Sequence, residues 1–123
     1  MKPHVIDVDL VEDGQKQKHA VPRNIQNPMF VGDTVKYQSR DGLVTVEFKE
    51  LDLSPAHSLL HSPFADSSGK EITVITSANG ALPLTNKGIF FCRCFITPPG
   101  QPAAARIGWT PNSPGSGGNH DVR

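Results

Sequence analysis

The sequence predicts an all-β fold, and three observations predict it. Apolar and polar residues alternate at every second position in several short runs, the pattern of half-buried strands. No long stretch carries the helical period. Eleven Pro and eleven Gly punctuate the chain, which favours many short strands joined by turns. Roughly eight such strands in a single domain spanning residues 1–123 point to a Greek-key β-sandwich.

The segment around which this sheet structure is organised runs from Gly32 to Phe48. Val35 and Tyr37 fall on one face of a first strand, with Thr34, Lys36 and Gln38 on the other. Val44, Val46 and Phe48 alternate with Thr45 and Glu47 in a second. Asp41-Gly42 between them has the residues of a positive-φ turn, so the pattern predicts a β-hairpin.

Upstream, His4 to Val11 alternates with Ile6, Val8 and Leu10 on one face and Asp7 and Asp9 on the other. Outward carboxylates suit an edge strand, where they discourage pairing with another chain. Glu12 to Gln15 turns, and Lys16 to Val21 returns as a second strand. Pro22 and Pro28 make the next segment irregular, with Met29-Phe30-Val31 as a core plug.

Beyond Phe48 the chain is least regular. Ser54 as N-cap and Pro55 at the first helical position predict a short helical turn ending at His61. Ser62-Pro63-Phe64 breaks it. Glu71 to Ser77 reads as a strand, with Ile72 and Val74 facing the core. Gly88 to Ile96 is the most apolar run, with apolar residues on both faces, as in a central strand covered on two sides. Pro98-Pro99-Gly100 stops it. Trp109 is the expected anchor of the Pro- and Gly-rich tail, and Asn119 to Arg123 closes the sheet.

Twelve basic residues balance twelve acidic ones, so no strong field points to nucleic acid or to a membrane surface. No apolar span is long enough for membrane insertion, and Met1 opens into a strand-like run without a signal-peptide pattern. The expectation is a cytoplasmic domain, or a secreted one if the chain is a mature form.

These pieces, in this order, resemble the small cupredoxin-like domains of bacteria. The resemblance rests on Gly32 to Val35, Asp41-Gly42, Ser62-Pro63-Phe64, Gly88-Ile89-Phe90 and Pro114-Gly115. It implies a cupredoxin-like sandwich and asks for two His, one Cys and an axial Met at a blue-copper centre. By the family's pattern the first His falls near Val44 and the Cys at Cys94. The second His falls near Thr97, which Pro98-Pro99 follows. Neither Met1 nor Met29 lies in the axial segment. One ligand of the four is kept, so the implied copper site is degenerate and no cofactor is expected.

Cys92-Arg93-Cys94 is the richest spot chemically. Residues two apart on a strand share a face, so both sulfurs suit one soft ion, Cu(I) or Zn. Extended geometry is poor for a disulfide between them. Phe90 and Ile96 share that face, and buried, unreactive thiols are the preferred reading. Arg93, opposite, is expected to lie across Phe91 and Phe95.

His57 and His61 have a helical metal-ligand spacing but no adjacent Glu, and two solvated histidines are preferred. Asp7, Asp9, Glu12 and Asp13 lack the calcium-loop pattern, and Pro114 to Gly118 lacks the Lys of a phosphate loop. No nucleophile elbow appears. The expectation is therefore not an enzyme. It is a binding or structural module with an unidentified protein partner, or alternatively a soft-metal protein using Cys92, Cys94, His57 and His61.

Overall fold

A computed structural model describes residues 1–49, 61–110 and 116–123. The described residues form an all-β structure of two sheets. The strands are β1 (Pro3–Glu12), β2 (Lys18–Pro22), β3 (Thr34–Gln38), β4 (Leu43–Lys49), β5 (Val74–Thr76), β6 (Leu82–Pro83), β7 (Gly88–Thr97), β8 (Ile107–Gly108) and β9 (Gly117–Val122). One sheet has the order β2-β1-β3-β6. The other has β5-β4-β7-β8, with β9 also paired to β7. A single cluster of buried side chains draws on both: Ile6, Val8, Val35 and Tyr37 from the first, Val44, Val46, Phe48, Phe90 and Ile96 from the second.

The segment read as a hairpin folds differently. β3 and β4 belong to different sheets, and their link crosses from one to the other. Alternation still holds, because Val35 and Tyr37 face Val44, Val46 and Phe48 across the core. A two-residue period fixes which face is buried and says nothing about the partner strand. Asp41 serves the crossing by accepting the Leu10 amide at 2.9 Å.

The β1 strand stands between two others in the sheet order: its second half, Val8–Glu12, pairs with β2, and its first half, Pro3–Asp7, runs parallel to β3. Its outward carboxylates meet cations and amides: Asp9 pairs with Arg23 at 3.1 Å, and Asp7 accepts from Gln38 at 2.7 Å.

Only Val74–Thr76 of the Glu71–Ser77 run is strand, and Ile75 is buried while Val74 is 53% exposed. Ile72 packs against the core from outside the strand. Met29 is fully buried, but Phe30 and Val31 are exposed. The outer face of β7 is only partly covered, since Ile89 is 61% and Phe91 38% exposed. Arg93 lies over Trp109 at 3.5 Å rather than across Phe91 and Phe95, and Trp109 itself is half-buried. Arg106 covers Phe95 at 3.7 Å. The expected helical turn at Ser54 to His61 falls, but for His61, outside the described residues.

Asp33 fixes the entry to β3. It accepts His4 Nε2 at 2.9 Å and the amides of Lys2 and Phe30 at 2.9 and 3.1 Å, tying β1 to β3 at their common end. These bonds, that from His4 foremost, lower the Asp33 pKa from 3.8 to about 2. A depressed carboxylate pKa contributes stability above the unfolded value and loses it as pH falls through the folded one. The wild-type chain should therefore melt above Asp33→Asn at pH 6, with the gap closing between pH 3.8 and about 2. Parallel melts of both proteins across that range check it; a constant gap would remove Asp33 from the account.

Candidate functional site: a buried thiol and imidazole cluster

The β7 strand has apolar side chains at alternate inward positions, and Cys92 and Cys94 take two of them between Phe90 and Ile96. Their register partners on β4 are Phe48 and Val46. On the other side of β7, Gly118 lies opposite Cys92 and His120 opposite Phe90. His120 and Val122 share the inward face of β9, and His120 has no exposed surface. Tyr37, from the facing sheet, completes the group.

The polar atoms converge inside the core. Cys92 and Cys94 are free thiols with sulfurs 4.0 Å apart. Tyr37 Oη lies 2.7 Å from His120 Nε2, a hydrogen bond that joins the two sheets. The Phe48 ring meets the His120 ring edge-on, with centroids 5.4 Å apart. Among the described residues, His120 Nδ1 is the buried side-chain atom without a hydrogen-bond partner. With Tyr37 donating to Nε2, the imidazole proton rests on Nδ1 and one group is unsatisfied. The reverse direction would leave both the Tyr37 hydroxyl proton and Nδ1 unpaired, so the first arrangement is favoured.

Burial shapes the electrostatics. Desolvation pushes the Tyr37 hydroxyl well above its ordinary pKa, so it keeps its proton. The Cys94 contact lowers the Cys92 thiol, and neighbouring His120 lowers it further against the opposing effect of burial. The same contact, with burial, raises Cys94. Of the two sulfurs, Cys92 is the one with the His120 imidazole and the Gly118 amide as neighbours.

The other candidates from the sequence are placed elsewhere. His57 lies outside the described residues. The His61 amide donates to Glu71 at 2.8 Å. Asp13 accepts from His19 at 2.8 Å, which is the main cause of its lowered pKa. A depression of about 460 Å³ on the outer face of the first sheet is lined by Asp7, Asp9, Arg23, Gln38, Ser39 and Arg40. Its carboxylates are engaged by its own Arg and Gln side chains. Ser62 is structural: fully buried, it donates to the Ile72 carbonyl at 2.5 Å and accepts the Phe64 amide at 3.1 Å.

Among the described residues no group of three or more His, Cys, Asp or Glu side chains is arranged to hold a metal ion. Nor is any described helix long and apolar enough to cross a membrane. Sequence reasoning missed His120 and its bond to Tyr37. The available signal was period two in the last strand, where His120 shares a face with Val122 and opposes Asp121. No protein family, curated protein or solved structure matches the chain. The class is set by the architecture: an all-β, two-sheet protein with thiols and an imidazole in its core.

Proposed function

We propose that this chain is a non-catalytic binding module of cupredoxin-like type, with a degenerate copper site and a protein partner. The observation that carries the reading is Val44. The resemblance puts the first copper imidazole near it, and Val44 is instead a core residue with no exposed surface, in register with Ile96. An imidazole could not replace it there without filling packed space. Thr97, at the second imidazole's place, pairs with Leu43 at the end of β7. The winding supports the Greek-key part of the reading, since β1 neighbours β3, β3 neighbours β6 and β4 neighbours β7 through connections between the sheets.

The exposed outer face of β7 supports the partner. Ile89 and Phe91 are solvent-facing on a strand paired on both edges, and aromatic anchors of this kind favour protein contacts. Capture from the native host with the wild-type chain and with Ile89→Asp/Phe91→Asp tests it. A partner retained by the first and released by the second, with unchanged circular dichroism, is expected. Identical capture by both would overturn the reading.

A further inference from the structure

We propose that Cys92 and Cys94 form a two-sulfur site for a soft monovalent d10 cation, Cu(I), inside the core, with His120 as the donor that steadies it. This goes beyond the binding-module reading and does not rest on it. It also differs from a blue-copper centre, which takes one Cys and two imidazoles.

The separation of the sulfurs is the first support. With metal–sulfur bonds of about 2.3 Å, sulfurs 4.0 Å apart subtend roughly 120° at a shared ion. An outward shift of a few tenths of an ångström per sulfur opens that angle toward linear at the same bond length. The strand holds both side chains on one face, and the extended backbone that disfavours a disulfide keeps them available as a pair.

The ion is selected by the softness of the donors and by their number. A structural zinc site wants four protein ligands, and the paired sulfurs, 4.0 Å apart, supply two. Thiolate sulfur in low coordination suits Cu(I).

His120 supplies the second, independent support. Its Nδ1 is fully buried and without a hydrogen-bond partner, and sheet pairing sets His120 opposite Phe90, diagonal to Cys92 on the same inward face. An unsatisfied buried donor is costly in a native core. With Tyr37 holding Nε2, Nδ1–H is left to donate to the Cys92 sulfur once that sulfur is a thiolate. The binding step is balanced: two S–H bonds break and two protons go to solvent, the ion gives up its acetonitrile ligands, two S–Cu bonds form, and neither copper nor sulfur changes oxidation state.

The probe is Cu(I), added without oxygen as its acetonitrile complex to the reduced, folded chain against a coloured Cu(I) chelator. One ion per chain should be taken from the chelator and the melting temperature should rise. Cys92→Ser and Cys94→Ser should each weaken retention by more than ~100-fold, and His120→Gln by roughly 10–100-fold, as for an outer-shell partner. X-ray absorption on the wild-type complex gives a readout independent of variant folding: two sulfurs bonded to the ion. No retention by the folded chain, a spectrum without two sulfurs, or full retention by a folded Cys94→Ser protein would overturn the proposal. So would Zn(II) bound with the same cysteine dependence.

Discussion

Phe48→Ala should lower stability by about 3–5 kcal/mol, the range for truncating a buried aromatic. Phe48 is 4% exposed, and its ring meets Phe64 at 5.7 Å and His120 at 5.4 Å, both edge-on. Truncation removes the transfer term and leaves a cavity among the residues least able to collapse into it, because the His120 imidazole is held by Tyr37. Small domains are stable by only about 5–15 kcal/mol, so the loss should show as a large drop in urea midpoint with little change in slope. Phe90→Ala, at 2% exposure, should behave alike. An unchanged midpoint in either variant would place that ring outside the core.

Gly42→Ala should be comparably damaging for a different reason. Gly42 has φ +147°, and a Cβ there would stand 2.1 Å from the carbonyl oxygen of Thr97. That oxygen is backbone, so the sheet itself would have to move. The cost combines conformational strain of ~1–3 kcal/mol with overlap of ~1–3 kcal/mol. Gly14 is the control, since a Cβ there meets nothing within 4 Å. Thermal melts should separate the two variants clearly. Equal melting temperatures would mean that the crossing between β3 and β4 relaxes freely.

Much of the strand content was legible, because alternation marks which side chains are buried. Val35, Tyr37, Val44, Val46, Phe48, Phe90 and Ile96 are core residues as the pattern implies. Pairing was not legible. The run from Gly32 to Phe48 satisfies period two as a hairpin and equally as two strands facing each other across a core, and only long-range contacts decide. β1 reads as an edge from its outward acids, yet these meet partners on the sheet itself, Asp9 with Arg23 and Arg40 and Asp7 with Gln38. Val74 and Ile75 were exchanged because two adjacent β-branched residues give no parity signal. The thiols were readable as buried from their neighbours on β7. Their relation to His120 was not, because 26 positions separate Cys94 from a histidine that only sheet pairing brings alongside.

Visible absorption tests most directly the proposal that packed core fills the place where the resemblance puts the first copper imidazole, Val44. The reduced chain is incubated with one equivalent of Cu(II) and its spectrum recorded. No intense blue thiolate-to-Cu(II) band should appear, since Val44 has no donor atom and lies wholly inside the core, and Cys94 alone cannot make the trigonal site. Cu(I) held by Cys92 and Cys94 would be colourless and leaves this expectation unchanged. A strong blue band from the unmodified chain, lost in Cys94→Ser, would contradict the account.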